Sequence, residues 1–261
     1  MGGGIFGHSV QSPEVISSVD YDRVVIAVCD DSYERQKAIF SILEQVKGLN
    51  VPQGAIQLIN YDDGNDLPVV KYPRADVVRK LSIEMAQNHI GGAIAECGVH
   101  RGNFAAKMND MFFDRKFYLF DTFTGFDVRD IPYETGVSPD FVESAVAMHK
   151  IASPDLAALK CVYRNNVFIK QGYIPETFVG LEDEEFAFVN LDVDLYAPTL
   201  ASLRFFAPKM VTGGMIMVHD YYSEWGVSKA VLEFADEYNF IKVPIGYTLS
   251  VLLLAFGRKI T

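Results

Sequence analysis

Four stretches of this chain end an apolar run in side chains able to do chemistry. Ala93-Ile-Ala-Glu96-Cys-Gly98-Val-His-Arg-Gly102 brings a carboxylate and two glycines to the point where a strand would turn into a helix. Phe117-Tyr-Leu-Phe-Asp121-Thr-Phe-Thr-Gly-Phe126 ends its apolar run in an acid. Phe186-Ala-Phe-Val-Asn190-Leu-Asp192-Val-Asp194 gathers an amide and two carboxylates, and Gly213-Gly-Met-Ile-Met-Val-His219-Asp220 closes another apolar run on a histidine and an acid.

Each motif has a chemical reading and a plainer one. Glycines at the end of a first strand let a ligand approach the backbone closely, where open α/β sheets bind their ligands. A dinucleotide fingerprint needs a third glycine, and Glu96 would repel a pyrophosphate while attracting the ammonium or sulfonium end of S-adenosylmethionine. The plainer reading is a tight turn with a solvated glutamate. Asp121 is placed to accept both hydroxyls of a ribose, or else to serve a turn or cap. Phe123 or Phe126 is available to cover an adenine, although aromatics after a strand are as often core.

Strand alternation puts Asn190, Asp192 and, if extension continues, Asp194 on one side. Clustered oxygens at a strand end suit a hard cation such as Mg²⁺, with Asp192 and Asp220 as carboxylates from neighbouring strand ends. Against this, Asp194 would cap a helix starting near Pro198, which is the favoured reading for that residue. His219 is either a base of suitable ordinary pKa, a metal ligand or a hydrogen-bonded core residue.

The elements that must position these groups alternate. Strands are expected at 92–97, 117–121, 166–170, 186–192 and 214–219, with helices near 74–88, 103–113, 140–150, 198–207 and 227–239. Such alternation implies βαβ units and a mostly parallel sheet. Ile241 to Pro244 and Thr248 to Phe256 are expected to add an antiparallel hairpin at its edge. Upstream, 20–29 and 55–59 read as strands around a helix from Ser32 to Val46, a piece too small for its own core. The polar, proline-bearing stretch 60–73 marks a boundary, giving a partial Rossmann-like segment over 1–70 and a main domain over 74–261. The insertion 127–165, carrying Met148 and His149, reads either as a substrate-binding cover or as a plain helical insertion.

Composition excludes several classes. A net charge of −11 argues against a nucleic-acid partner, which would demand clustered Lys and Arg. The longest apolar stretches run to about eight residues, against the roughly 20 of a membrane span. The N-terminus has neither the basic nor the apolar region of a secretory signal, and Cys29, Cys97 and Cys161 have no metal-ligand spacing, so a cytoplasmic setting is expected.

With these motifs in order, residues 74–256 resemble the macrocin O-methyltransferase (TylF-like) family. The matching pieces are those around Glu96, Asp121, Asp192 and His219, together with Ile169-Lys-Gln-Gly172-Tyr-Ile-Pro. The resemblance implies a Rossmann-like class I methyltransferase with a mostly parallel seven-stranded sheet. It implies S-adenosylmethionine as methyl donor, Mg²⁺ as metal and a sugar or other small-molecule acceptor, with a homodimer compatible. It places the cofactor on Glu96, Gly98, Gly102, Asp121, Thr122, Phe123, Gly172, Tyr173 and Asp192. Asp192, His219 and Asp220 become metal ligands, with Asp192 and His219 as the catalytic pair; the family's Asp-Asp pair falls on His219-Asp220, a departure. The segment 1–70 resembles the latter half of a small nucleotide-binding-like domain of surface-polysaccharide enzymes, without its glycine-rich turn, so a structural remnant is expected.

Overall fold

The computed structural model describes residues 4–5, 8–9, 24–28, 49, 56–60, 73–134, 152–223, 226–246 and 248–258. The chain divides into two compact units, Met1–Asp66 and Leu67–Thr261. In the first, β1 (Gly4–Ile5) pairs antiparallel with β2 (His8–Ser9), and β3 (Val24–Val28) pairs in parallel with β4 (Ile56–Asn60). Parallel pairing needs a crossover between the strands. The helix expected there, from Ser32 to Val46, lies outside the described residues, as does the one expected over 140–150.

The second unit is ordered α1 (Pro73–Gln87), β5 (Ala93–Cys97), α2 (Asn103–Met111), β6 (Phe117–Asp121), α3 (Pro154–Lys160), β7 (Val167–Gln171), β8 (Phe186–Leu191), α4 (Tyr196–Phe206), β9 (Met210–Val218), α5 (Val227–Glu237), β10 (Tyr238–Pro244) and β11 (Val251–Arg258). Its seven strands lie in the order β10-β11-β9-β8-β5-β6-β7. Neighbours from β9 through β7 run parallel, and β11 pairs antiparallel with both β9 and β10. The fold is therefore the expected α/β sheet with an antiparallel edge.

Two details differ from expectation. Strand β9 begins at Met210, because Gly213 and Gly214 do not interrupt it: the register shifts there, Met210 to Met215 of β9 spanning the stretch that Phe186 to Phe188 span on β8, so β9 carries the extra residues, with Gly213 at φ 83°. Helix α3 was not expected. Its signal is local, since Ser153 Oγ accepts the N–H of Leu156 at 3.1 Å and Pro154 follows as the first helical residue.

Alternation along the buried strands sorts side chains onto two faces. Ala93, Ala95, Cys97, Tyr118 and Phe120 join α4 and α5 on one, where Phe120 meets Phe178 and Phe206 edge-on at 5.1 and 6.0 Å. Ile94, Phe117, Leu119, Phe188 and Met217 join Met85 of α1 and Met108 of α2 on the other. Burying each such phenyl ring contributes about 2–3 kcal/mol. Glu96 and Asn190 fall on this second face by the same alternation, and they are deeply buried there. Cys97 and Cys161 are buried free thiols. Among the described residues, no helix is long and apolar enough to cross a membrane.

Candidate active site

The chain runs from β5 outward through β6 to β7 and then returns to place β8 on the other side of β5. This reversal opens a crevice at the carboxyl ends of β5 and β8, the position where open α/β sheets bind ligands. The sheet ladder continues one residue past four strands. The N–H of Gly98 donates to Phe120 O, that of Gly172 to Asp121 O, that of Asp192 to Cys97 O and that of His219 to Leu191 O, all at 2.8–2.9 Å. The functional residues at these strand ends are thus held in register by backbone bonds.

A cleft with about 510 Å³ of empty space, part of it open to solvent, lies there. Gly98, Asp121, Thr122, Gly172, Tyr173 and Asp192 line it, and so do Phe126, Asp130 and Asp194. The Asp121 carboxylate is already gripped: Oδ2 accepts the N–H groups of Val99 and His100 at 2.7 Å, and Oδ1 that of Phe123 at 2.7 Å. Three backbone donors orient it toward the glycine turn and leave it lone pairs for further donors. On the far wall the Tyr173 hydroxyl donates to Asp130 Oδ1 at 2.7 Å, and the Arg129 guanidinium covers the Tyr173 ring at 3.6 Å.

Three residues expected at the cofactor do not line this cleft. Phe123 is packed in the second core face at 6% exposure, which leaves Phe126 as the cleft's aromatic after β6. Gly102 starts α2 at φ 74°, and a Cβ there would lie 2.7 Å from the Ala157 backbone, so packing against α3 accounts for it. Glu96 lies beneath the turn at 1% exposure; Asn190 Nδ2 donates to its Oε1 at 3.0 Å, while Oε2 has no partner. Burial, with the Asp192 charge adding to it, raises the Glu96 carboxyl well above its ordinary pKa.

At the β8 and β9 ends, Asp192, His219 and Asp220 bring one ligand atom each within 4.8 Å of one another. His219 Nδ1 lies 2.9 Å from Asp192 Oδ1 and 2.8 Å from Asp220 Oδ2. Burial opposes a charge on this ring, yet hydrogen bonds to the two carboxylates override it and lift its pKa to about 9. Burial likewise opposes ionisation of Asp192, but Arg74 and His219 hold its carboxyl well below the ordinary range. Asp194, mostly buried and hydrogen-bonded to Asp220, is raised by burial and by the neighbouring acids. Asp194 and Asp220 adopt left-handed backbone, φ 62° and 54°, a conformation that clusters at functional sites. The N-cap role expected of Asp194 is not seen: α4 begins at Tyr196 after Leu195, with no side-chain cap.

Two residues that bond to the site or to the helices beside it escaped the sequence. Arg74, second residue of α1, donates from Nη1 to Asp192 Oδ2 at 2.7 Å. Glu134, which follows the 3-10 turn Ile131–Tyr133, accepts the N–H of Tyr196 at the start of α4 and that of Gly226 before α5, the latter at 2.9 Å. Nothing local marks either one; only a proline beside Arg74 hints at a helix start.

The fold is Rossmann-like, with a cleft at the strand ends. Residues 15–248 match the family described as macrocin-O-methyltransferase (TylF), and the chain belongs to that family. The match begins at residue 15 rather than near 74, so it includes part of the first unit, which the sequence had set apart. A relative from Streptomyces niveus, demethyldecarbamoylnovobiocin O-methyltransferase, is 25% identical over 179 residues, spanning 61% of this chain and 66%, just under two thirds, of that one. Among solved structures, the O-methyltransferase NovP superposes with a TM-score of 0.56 at 21% identity, covering 70% of this chain and 79% of that one. CalS11, a calicheamicin methyltransferase, gives 0.53 at 19% identity over 86% and 93%. At these identities the two structures speak for the fold.

Proposed function

We propose that this chain transfers the methyl group of S-adenosylmethionine to a hydroxyl of a sugar or glycosylated metabolite. The observation that carries the reading is the cleft at the β5–β8 crevice, lined by Gly98, Asp121 and Asp192 in a member of a macrocin-O-methyltransferase family. The relative named as a demethyldecarbamoylnovobiocin O-methyltransferase supports transfer to an oxygen of such a metabolite.

Transfer is an in-line displacement at carbon. The acceptor oxygen forms a bond to the methyl carbon, the sulfur–carbon bond breaks, and the sulfur keeps its electron pair as S-adenosylhomocysteine leaves. The leaving group needs no proton, so the protein's tasks are alignment and removal of the hydroxyl proton. Asp121 is suited to the ribose hydroxyls and Thr122 and Gly172-Tyr173 to the adenosine walls; Glu96, beneath the turn rather than in the cleft wall, is suited to balance the charge of the cationic methionine end from below. Asp192 and His219 are the groups placed to receive the proton: Asp192 is ionised but made a weak base by Arg74 and His219, and His219 takes the role only after shedding its own proton.

Asp192, His219 and Asp220 fit a divalent ion, since two carboxylate oxygens and a ring nitrogen converge. Mg²⁺ bound there would lower the pKa of an attached sugar hydroxyl. The −11 charge supports an acceptor that is not a polyanion.

The test is calorimetric titration with S-adenosylmethionine beside NAD, followed by labelled-methyl transfer to a panel of sugars and glycosides with Mg²⁺ or chelator. Micromolar one-site binding and labelled ether product are expected, with turnover lost and binding kept in Asp192→Ala. Binding of NAD instead, or full activity in that variant, overturns the assignment.

A further inference from the structure

The carboxylate of Asp192 is engaged on both oxygens by different partners. Oδ2 meets Arg74 Nη1 at 2.7 Å, and Oδ1 faces His219 Nδ1 at 2.9 Å. Arg74 comes from the first turn of α1, on the face that α1 and α2 share, and its side chain is only 19% exposed. Its guanidinium also lies over the ring of Phe104, in the first turn of α2, with 4.1 Å to the centroid. A planar guanidinium can rest its face on an aromatic ring while its edge donates to a carboxylate; an ammonium cannot do both with the same geometry.

The surroundings make such a hold necessary. Asp192 stands among acids: Asp220 offers an oxygen within 4.8 Å of its own, and Asp194 lines the same cleft. Without a fixed cation on one oxygen, repulsion from these neighbours would turn the carboxylate away from them. Arg74 takes Oδ2, the oxygen opposite His219, and leaves Oδ1 on the side of the carboxylate that faces His219 and Asp220.

We infer that Arg74 is the positioning residue of Asp192: clamped between Phe104 and the carboxylate, it claims Oδ2 and thereby aims Oδ1 at His219 and Asp220. The inference rests on the reading of those three residues as a cation site, and it adds a residue from a distant helix that decides whether the site is formed. Outer partners of this kind commonly change metal affinity by 10–100-fold when removed. Arg74 is therefore a determinant of cation binding that touches neither the cation nor the acceptor.

The experiment measures Mn²⁺ affinity by electron paramagnetic resonance of the free ion, for the full chain and for Arg74→Gln, Arg74→Lys and Phe104→Leu. S-adenosylmethionine binding is followed by calorimetry on the same samples. Arg74→Gln is expected to weaken Mn²⁺ at least tenfold while S-adenosylmethionine binding stays within threefold. Arg74→Lys should recover part of the loss, and Phe104→Leu should show a smaller loss in the same direction. Should Arg74→Gln fail to fold, the other two variants decide the matter by the same criterion. Unchanged or tighter Mn²⁺ binding in the variants, or no Mn²⁺ binding by the parent chain, overturns the inference. S-adenosylmethionine binding that persists in that last case would leave the methyltransferase reading standing; its loss in the parent chain would remove that reading instead.

Discussion

Gly98 and Asp192 touch so closely that a Cβ on the glycine would lie 1.8 Å from the Asp192 carbonyl oxygen. Gly98 also holds φ 84°, a conformation that L side chains rarely adopt. The first glycine of the turn is thus needed by the neighbouring strand end as well as by any ligand.

Gly98→Ala should therefore cost stability and function together. Steric conflict with backbone has no cheap relief, so a loss of about 3 kcal/mol or more is expected in urea unfolding, with S-adenosylmethionine binding abolished. Gly91→Ala, where a Cβ meets nothing within 4 Å, serves as the control and should change stability by less than about 1 kcal/mol. Equal unfolding midpoints for the two variants would contradict the geometry.

Glu96 opposes stability in the unliganded protein. Its carboxyl is raised chiefly by burial, so the folded state holds its proton above the unfolded value of about 4.3. Below that pH both states are protonated and the group contributes nothing. As pH rises past it the unfolded chain ionises first, and the native state loses stability until its own carboxyl ionises. Glu96→Gln removes this effect. The variant should match the parent near pH 4 and exceed it by about 1–3 kcal/mol at pH 7.5, while binding S-adenosylmethionine at least tenfold more weakly. A stability difference that does not change with pH would show that Glu96 is not the group responsible.

The Asp121 carboxylate carries a structural duty beside its proposed one. Asn at this position presents an amide NH₂ to backbone donors that now meet an oxygen, either to Phe123 or to Val99 and His100. Asp121→Asn should cost about 1–3 kcal/mol in chemical denaturation and weaken S-adenosylmethionine severalfold more than any effect on stability explains. Undiminished cofactor affinity would take Asp121 out of the ribose contact.

Much of this site was legible because a parallel strand advertises its carboxyl end: an apolar run stops and a polar residue follows. Asp121, Asp192, His219 and Asp220 were found that way, and the ladder bonds that continue past the strands explain why adjacent stops in sequence become neighbours in space. Gly102 and Phe123 carry the same local signal but answer to packing, which a single strand pattern does not distinguish. Arg74 and Glu134 were invisible for a different reason. Each reaches its partner through a long side chain across a large sequence separation, 118 residues for Arg74 and Asp192 and 62 for Glu134 and Tyr196. Helix α3 could have been read from Ser153-Pro154-Asp155, a cap followed by proline and an acid in the first turn.

The histidine in place of the family's acid offers a direct test of metal preference. His219→Asp gives the site a third carboxylate, and hard divalent ions favour oxygen. Mg²⁺ should bind about tenfold more tightly by calorimetry, and the metal-free variant should melt at lower temperature because like charges crowd Asp192 and Asp220. Weaker Mg²⁺ binding would assign the ring nitrogen a role that a carboxylate cannot fill.

One carboxylate, that of Glu134, serves the first amides of two helices. The leading N–H groups of a helix have no partner within it, so Tyr196 and Gly226 both lean on the same side chain. Their exchange with deuterated solvent is consequently shared: when Glu134 withdraws, both amides lose protection in the same event. A single side chain thus ties the starts of α4 and α5 together, so that whatever loosens Glu134 is registered at both helices at once.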